Sequence, residues 1–366
     1  MRIGIICPYS LSIPGGVQGQ VLGLARVLRV RGHEVKVLAP CDGPPPDVQV
    51  ISLGQTVLNQ ANGSMAPVAP DASTQLRTIR TLWEEDFDVI HVHEPLCPGP
   101  TVTALLLKPS PLVGTFHAAG HQPAYDNLGW LAHRFGRRLD AQVAVSEAAK
   151  NLAGPALKGE WTVLFNGVEV QRFAEAQPWE RTEDERVVLF VGRHEERKGL
   201  AVLLAAVAQI DDPLLRVWVA GSGPETDALR FGSSHDRRIE WLGRISDSER
   251  DRRMVAADVF CAPSLGGESF GVILLEAMAA GTPVVASAID GYVGVAGQLE
   301  GTPEAAVLVP PSDPNALALA LSSLLADPER GNELVERGRV RAARFSMVAL
   351  AEAYEAIYER VITANA

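Results

Sequence analysis

The segment MRIGIICPYSLSIPGGVQGQ (residues 1–20) places a short apolar run, a glycine-rich turn and the beginning of a helical pattern in direct succession. Residues 2–7 form the kind of near-continuous apolar strand that is buried on both faces of a parallel sheet. Gly15 and Gly16 follow just before the helix predicted at 17–31. This order predicts an α/β protein whose parallel sheet is covered by helices on both faces.

The strand–turn–helix pattern repeats along the chain and restarts once. A polar segment without strand pattern, 169–186, is followed by a second opening strand at 187–192 (VVLFVG). We therefore predict two Rossmann-like domains, 1–170 and 171–345, each with a doubly wound parallel sheet, facing each other across a cleft. The last segment, 346–366, is predicted to be a helix that packs back on the first domain. Further strands are predicted at 34–39, 88–92, 112–116 and 141–145 in the first domain, and at 215–221, 239–243, 258–263 and 282–287 in the second.

Length and composition agree with two soluble globular domains. The chain has 366 residues, of which 47% are hydrophobic and 21% charged, and these values exclude intrinsic disorder and coiled coil. The net charge of −11 disfavours a nucleic-acid partner. An anionic ligand would therefore need a local basic patch.

The cysteines and the N-terminus indicate a cellular compartment. Cys7, Cys41, Cys97 and Cys261 lie far apart and form no CxxC pair, which favours a reducing environment and disfavours a zinc site or disulfides. The first residues lack a signal-peptide pattern, and no window contains 18 uninterrupted apolar residues. We expect a cytoplasmic protein that is at most peripheral on the inner face of the plasma membrane.

Two turns are candidates for binding phosphate, because ligands of parallel sheets bind beyond the carboxyl ends of the strands. Gly15 and Gly16 would let backbone N–H groups approach a phosphate at a helix N-terminus, although a plain strand–helix turn explains them equally well. Arg193 and Lys198 flank the turn GRHEERKG (192–199) and suit a diphosphate. The alternative is a solvated cluster in which the glutamates of this turn pair with the two cations.

Two glutamates lie eight residues apart in GGESFGVILLEAMAAGTPVV (266–285). Glu276 lies in a helix that is apolar on nearly every face, where a carboxylate needs hydrogen-bond partners. A ribose diol would supply two donors, and Glu268 in the preceding glycine-rich loop could bind sugar hydroxyls. The alternative is a glutamate paired with a structural arginine.

Two other signals resemble metal sites and are discounted. Asp86-Phe87-Asp88 has the form of a DxD motif but precedes its strand, at the wrong edge of the sheet. His91 and His93 share one strand face, but no third ligand has suitable spacing, so a core or acceptor-site role is favoured over zinc.

Taken together, these residues resemble the retaining glycosyltransferases of family 4, which have the two-domain GT-B fold. Within this family, the opening segment and the stretch 261–287 look most like the actinobacterial phosphatidyl-myo-inositol mannosyltransferases. The resemblance covers essentially the whole chain. Its motifs occur in family order: PGGVQ (14–18), HVHEP (91–95), GTFH (114–117), FNGVE (165–169), GRHEERKG (192–199) and the two spaced glutamates.

The resemblance implies roles for the residues of the donor site. Gly16 matches a backbone donor to the distal phosphate, and Arg193 and Lys198, with Arg197 beside them, match cations that stabilise departing GDP. Glu268 matches a contact to hydroxyls of the donor sugar, and Glu276 matches a contact to ribose. The remaining predicted donor-binding residues are Gly15, Ile245, Asp247, Ser269, Phe270, Gly271 and Val272.

The resemblance also implies acceptor and catalytic residues. His117 matches a histidine beside the reacting sugar carbon, and together with Arg193, Lys198 and Glu268 it is predicted to be catalytic. Pro67 departs from the pattern, because the lipid-acting enzymes have an arginine there for the lipid phosphate. The predicted acceptor-binding residues are Tyr9, Gln18, Asn62, Gly63 and His117.

The segment GWLAHRFGRRL (129–139) is a candidate membrane contact. An amphipathic helix carrying Trp130, Arg134, Arg137 and Arg138 could rest on an anionic leaflet. A partly buried domain helix with a solvated basic face is an equally good interpretation.

The predicted activity is the transfer of mannose, with retention, from GDP-mannose to an inositol-bearing acceptor, expected to be phosphatidyl-myo-inositol. The implied partners are a nucleotide-sugar donor, an inositol lipid or inositol phosphate and an anionic membrane surface, without nucleic acid. No catalytic metal is required, although a loosely bound Mg²⁺ could help GDP leave. Two alternatives stay open: a family 4 enzyme with a soluble acceptor such as inositol phosphate and a UDP-sugar donor, and a non-catalytic regulator that binds sugar nucleotides.

Overall fold

The computed structural model describes residues 1–13, 15–61, 64–118, 129–299 and 301–366, without the side chains of 58–61, 64–66 and 129–131. The chain divides into two compact units. Unit 1 comprises Met1–Gly167 together with Met347–Ala366, and unit 2 comprises Val168–Ser346.

Unit 1 is built on a parallel sheet whose strands are buried apolar runs. Ile3 of the first strand pairs in register with Val35 on one side and Val89 on the other, and all three are fully or almost fully buried. The strands are β1 (Arg2–Ile6), β2 (Glu34–Ala39), β3 (Val50–Ser52), β4 (Val57–Ala61), β5 (Ser64–Val68), β6 (Val89–His93), β7 (Leu112–Phe116), β8 (Ala141–Ala144) and β9 (Trp161–Val163). In the described residues the sheet has the order β3-β2-β1-β6-β7-β8-β9, and β4 and β5 form a separate antiparallel hairpin.

Helices cover both faces of this sheet. One face carries the first helix and the last helix of the chain, whose Leu24, Leu28, Tyr354 and Tyr358 are at most 2% exposed and pack against the strands. The helix from residue 347 therefore packs on the sheet of unit 1. The helices of this unit are α1 (Gly16–Val30), α2 (Ala72–Glu84), α3 (Pro100–Leu107), α4 (Gly129–Gly136) and α5 (Glu147–Leu157).

Unit 2 repeats the same plan. Its strands are β10 (Arg186–Val191), β11 (Leu215–Ala220), β12 (Ile239–Gly243), β13 (Val259–Ala262), β14 (Val284–Ser287) and β15 (Val307–Val309). In the described residues they form a parallel sheet in the order β12-β11-β10-β13-β14-β15. The chain order reverses between β10 and β13, and a doubly wound sheet binds its ligands at such a switch point, beyond the carboxyl ends of the strands.

The helices of unit 2 follow the strands, and a short 3₁₀ turn (Glu196–Lys198) lies beyond β10. The helices are α6 (Val170–Glu175), α7 (Leu200–Val207), α8 (Thr226–Gly232), α9 (Asp247–Ala256), α10 (Val272–Ala280), α11 (Asp290–Ala296), α12 (Pro314–Ala326) and α13 (Pro328–Arg344); the last helix, α14 (Met347–Asn365), belongs to unit 1.

The structure confirms the α/β class and the predicted strands to within one or two residues. The sequence analysis missed the three-residue strands β3, β9 and β15, because so few residues carry no period. It also missed the hairpin β4–β5, because the strands VLNQA and SMAPV show no regular alternation of apolar and polar residues and the second contains Pro67. The four cysteines are free, as expected.

Candidate active site

A charged cluster lies at the switch point of unit 2. Arg197 and Lys198 belong to the 3₁₀ turn after β10, and Glu268 belongs to the loop after the neighbouring strand β13. Oε1 of Glu268 accepts from Lys198 Nζ at 2.5 Å and from Arg197 Nη1 at 3.0 Å. The fold thus brings Glu268 to two cations that precede it by 71 and 70 positions in the sequence, at the edge where the predicted donor site lies.

Close packing of two turns holds this cluster. Gly199 ends the 3₁₀ turn with φ 68°, and a Cβ built there would lie 1.9 Å from the carbonyl oxygen of Pro263. The amide of Leu265 also donates to the carbonyl of Arg197 at 2.7 Å. Only glycine fits at this contact, which explains on steric grounds why a glycine follows the lysine in GRHEERKG.

The loop after Glu268 leads into the N-terminus of α10. Ser269 and Phe270 precede Gly271, which has φ 94° and begins the helix without a side-chain cap, and Val272 is the first helical residue. The peptide N–H groups at this terminus point out of the helix and favour an anion. Phe270 is buried and packs edge-on against Phe345.

Arg193 lies in the same turn but has a different partner. Its Nη2 lies 2.8 Å from Oε1 of Glu195, and Oε2 of Glu195 accepts from Nε of Arg197 at 3.1 Å. The pairing of the turn's cations with its own glutamates therefore holds for Arg193 and partly for Arg197, whereas Lys198 pairs with Glu268.

Glu276 is paired with arginines, as the alternative interpretation expected. Its Oε1 lies 3.2 Å from Arg172 Nη2 and 3.7 Å from Arg250 Nη2, and its side chain is 15% exposed. Both arginines also pair with the buried Asp251. Oε2 of Glu276 makes neither of these two arginine contacts.

The segment after β12 lies at the same edge of the sheet. Ile245 is half-buried, and Asp247 is the first residue of α9, where it pairs with Arg250 at 3.2 Å. Since Arg250 also contacts Glu276, this segment connects to the glutamate predicted to contact ribose.

In unit 1, Gly15 and Gly16 lie at the start of α1. A Cβ built on Gly16 would meet nothing within 4 Å among the described residues, which leave space next to this backbone. Gln18 has a structural role as well, since its buried side chain donates to the carbonyl of Ile13 at 3.1 Å and stabilises the turn.

The turn after β1 also contacts the end of the β4–β5 hairpin. Tyr9 forms a bridge with Val68, and the amide of Ser10 donates to the carbonyl of Pro67 at 3.1 Å. Tyr9 therefore lies next to the position where the lipid-acting enzymes have an arginine. Asn62 and Gly63 lie outside the described residues.

His117 follows β7 and is 7% exposed. Its Nε2 lies 2.8 Å from Nδ1 of His93, and the side chain of Asn166 bonds to it as well. Burial lowers the pKa of His117 to about 4 and that of His93 well below its usual value, so both rings are neutral at pH 7.

Glu94 holds the backbone of His117. Its Oε1 accepts from the amides of His117 and Ala118, both at 2.7 Å, and Glu94 itself has φ 47°, a strained conformation for a non-glycine residue. Burial raises the pKa of its carboxyl, while these two amide bonds lower it.

His91 belongs to the core. Its Nδ1 bonds to the Tyr358 hydroxyl and its Nε2 to the Thr115 hydroxyl, both at 2.7 Å. No group of three or more metal-ligating side chains occurs within the described residues. Asp88 accepts from the amide of Arg2 at 2.6 Å, so the second carboxylate of the discounted DxD motif supports the strand start.

The predicted membrane helix is only partly available for a membrane. Arg138 donates to the carbonyls of Leu105 and Leu106, so its guanidinium is used inside unit 1. Arg134 and Arg137 are exposed, and the side chain of Trp130 lies outside those described. Searched over the described residues, no helix is both long and apolar enough to span a membrane.

A second surface helix, α2, exposes both apolar and basic side chains. On α2, Leu76 and Trp83 are each 67% exposed, two turns apart, and Arg80 lies between them. The sequence analysis assigned no role to these exposed apolar side chains.

Sequence reasoning missed several residues of the site. His93 and Glu94 occur in the quoted HVHEP motif, and Asn166 occurs in FNGVE, but none received a role. Arg172 lies in the segment taken as a linker. The available signal was that each is a polar residue at or shortly after the end of a strand, or near the start of a domain, and this signal becomes informative once the strand order is known.

Comparison with known proteins defines the class. Residues 14–172 match the model described as Glycosyltransferase Family 4, and residues 171–341 match Glycosyl transferases group 1. A sucrose-phosphate synthase structure from Thermosynechococcus elongatus has a TM-score of 0.76 at 23% identity, covering 99% of both chains. The structure of HepE from Anabaena with UDP and glucose has a TM-score of 0.74 at 19% identity, covering 98% of this chain and 100% of that one. The fold is that of the GT-B glycosyltransferases.

Curated relatives narrow the assignment. The phosphatidyl-myo-inositol mannosyltransferase of Mycolicibacterium smegmatis is 38% identical over 99% of this chain and 94% of its own length. The enzyme with this name from Mycobacterium tuberculosis H37Rv is 36% identical over 100% of this chain and 98% of its own. The chain belongs to the family of these actinobacterial glycosyltransferases.

Proposed function

We propose that this chain transfers mannose from GDP-mannose to phosphatidyl-myo-inositol with retention of configuration. The observation that carries the proposal is the cluster of Arg197, Lys198 and Glu268 at the switch point of unit 2. The chain is also similar over its whole length to enzymes named phosphatidyl-myo-inositol mannosyltransferase. Two cations beside one carboxylate suit the junction between a diphosphate and a sugar.

The cations act on the leaving group. As the bond between sugar and phosphate breaks, negative charge grows on the diphosphate, and prepositioned Arg197 and Lys198 stabilise it more than they stabilise the bound donor. Arg193 adds a third cation in the same turn. The N-terminus of α10 supports the same charge, so the chain needs no catalytic metal for this step, and Mg²⁺ would at most assist GDP release.

Glu268 has two tasks in this scheme. It orients the two cations through Oε1, and it accepts hydrogen bonds from hydroxyls of the donor sugar. Glu276, held by Arg172 and Arg250, is placed to accept from the ribose. The acceptor hydroxyl attacks from the face that the phosphate leaves, and the leaving phosphate takes its proton, so no side chain has to serve as a base.

A lipid acceptor requires contact with a membrane surface. We propose that the protein associates peripherally with the inner face of the plasma membrane, with Leu76 and Trp83 of α2 entering the interface. Arg80 lies on the same face and favours anionic lipid. Arg134 and Arg137 of the other basic segment are a second contact.

One observation favours a second candidate, a soluble inositol phosphate acceptor. Pro67 stands where the lipid-acting enzymes have an arginine, and its carbonyl is used by Ser10. That position therefore supplies no cation for a lipid phosphate.

A crossed transfer assay tests the proposal. GDP-mannose, UDP-glucose and UDP-N-acetylglucosamine are each combined with phosphatidylinositol vesicles and with inositol phosphate, and Glu268→Gln serves as an inactive control. We expect turnover with GDP-mannose and the vesicles. Turnover only with inositol phosphate would favour the second candidate, and donor binding without turnover on any acceptor would favour a regulator.

A further inference from the structure

His93 and His117 meet on neighbouring strands at the carboxyl edge of the unit 1 sheet. His93 ends β6, and His117 directly follows β7, with which β6 pairs. The rings stack at a centroid distance of 5.1 Å with an angle of 19° between their planes. Nδ1 of His93 and Nε2 of His117 are 2.8 Å apart, so one of these two nitrogens must carry a hydrogen and the other must accept it.

The far side of His93 decides which nitrogen donates. Its Nε2 is buried and has no hydrogen-bond partner among the described residues. A buried N–H without a partner is rarer in proteins than an unpaired acceptor. The hydrogen of His93 therefore belongs on Nδ1, the nitrogen that faces His117. Nε2 of His117 is then the acceptor, and since burial keeps this ring neutral at pH 7, its one hydrogen lies on Nδ1.

We propose that His93 is a positioning residue, whose Nδ1–H donates to Nε2 of His117 and holds that ring as the neutral tautomer protonated at Nδ1. Glu94 already fixes the backbone of His117, so the role left for His93 is to fix the tautomer and the orientation of the His117 ring. The proposal rests on the proposed function and on the role that the resemblance implies for His117, beside the reacting sugar carbon. It explains how His117 contributes a neutral, oriented ring without serving as a base, since Nε2 already accepts a hydrogen bond and Nδ1 carries the hydrogen.

The first experiment measures the tautomer directly. The ¹⁵N imidazole signals of the full-length protein are recorded at pH 7 and assigned to His117 by comparison with His117→Gln. We expect Nδ1 of His117 to carry the hydrogen and Nε2 to have the shift of an accepting, unprotonated nitrogen. A hydrogen on Nε2 would overturn the proposal.

Variants of His93 connect the tautomer to activity. His93→Asn keeps a donor near the position of Nδ1, whereas His93→Leu removes it and leaves Nε2 of His117 unpaired. We expect His93→Leu to lower kcat by roughly 30-fold, the loss expected for one buried hydrogen bond, with the donor KM within about twofold and a mixed tautomer in the spectrum. His93→Asn should restore most of the kcat and the wild-type tautomer.

Tyr358→Phe is the matched control, because it removes an equally buried hydrogen bond from the neighbouring His91. It should lower stability without changing the His117 signals. A His93→Leu variant with unchanged signals and kcat would refute the proposal. If His93→Leu does not fold, the wild-type spectrum and His93→Asn still decide. If the wild-type protein transfers no mannose while the tautomer is as stated, the proposed function fails and the positioning of His117 stands.

Discussion

The carboxyl edges of the two sheets carry opposite kinds of side chain on the same architecture. In unit 1, His93 and His117 are buried, neutral and bonded to each other. In unit 2, Arg197, Lys198 and Glu268 are partly exposed and charged. Strand order and helix placement are similar in both units, so the fold alone does not determine which chemistry an edge supports.

Under the proposed function, this difference between the two edges corresponds to a difference between the two reactants. A departing nucleoside diphosphate gains negative charge, and cations beside a carboxylate can be rearranged around it at small cost. An acceptor hydroxyl and a sugar ring are neutral, and a buried, hydrogen-bonded ring orients them without adding charge. Four predictions test this contrast, in order of decreasing effect.

Replacing the lysine of the charged edge should have the largest effect. Lys198→Ala is expected to lower kcat/KM by about a thousandfold, because it removes a cation that acts on the leaving group. Steady-state transfer of labelled mannose measures this. Arg186→Ala is the control, since Arg186 begins β10 at the end opposite the charged turn, and its ion pair in the described residues is with Asp212 at 3.0 Å. Near wild-type turnover of Lys198→Ala would remove the charged edge from the mechanism.

Acid should destabilise unit 1 through its histidines. Burial lowers the pKa of His117 to about 4 and that of His91 to about 3, whereas the unfolded chain titrates near 6.5. Between about pH 6.5 and 4 the unfolded state therefore binds more protons, and the free energy of unfolding falls as the pH falls, by up to about 1.4 kcal/mol per pH unit for each histidine. Glu94, whose pKa burial raises, opposes this in part.

Peptide-resolved hydrogen exchange at pH 7 and pH 5, corrected for intrinsic rates, measures the acid effect in each unit. Burial lowers the pKa of His91, His93 and His117 in unit 1 and that of His194 in unit 2, so unit 2 should lose less protection. If both units lost the same amount of exchange protection at pH 5, the contrast between a neutral edge in unit 1 and a charged edge in unit 2 would be contradicted.

Glu276→Gln should raise the donor KM about tenfold with a smaller change in kcat. The amide keeps the shape but weakens both the arginine pairs and the bond to a ribose hydroxyl, which costs about one charged hydrogen bond. Initial rates over a range of donor concentrations measure it. Glu336→Gln, on an exposed pair of α13, is the matched control and should change nothing. A loss confined to kcat would place Glu276 at the reacting sugar instead.

Arg80→Ala should have the smallest effect. Arg80 and Glu84 form an exposed i,i+4 pair at 2.7 Å, and such pairs change the free energy of unfolding by less than about 0.5 kcal/mol. Urea denaturation measures this. A change of several kcal/mol would show that surface charge on unit 1 matters as much as the ion pairs of unit 2.

Much of the fold could be predicted from local patterns in the sequence. The apolar runs at β1 and β10, each followed by a glycine-containing turn and a helix, predicted two α/β units because burial on both faces requires such runs. The same logic failed for β3, β9 and β15, which have three residues each, and for the hairpin β4–β5. Short or polar strands are stabilised by their neighbours in the sheet and leave little trace in the sequence.

The candidate site likewise contains residues that the sequence identified and contacts that it did not. Residue type and spacing alone singled out Lys198 and Glu268, which lie in glycine-containing turns after strands, and Glu276, whose carboxylate in an apolar helix needs hydrogen-bond partners. Their partners were beyond reach of the sequence, since Arg172 lies 104 residues before Glu276. The neutral pair of His93 and His117 was also hidden, because a histidine's hydrogen bonds depend on which strands become neighbours.

By itself, the sequence determined the class, the two repeated units and the charged residues of the donor edge, since each of these depends on residues close together in the chain. The tertiary structure decided which charges pair, that His91 is a core residue, and that His93 and His117 share one hydrogen. Those facts depend on strand order and burial, which bring distant residues within 3 Å of one another and remove them from water.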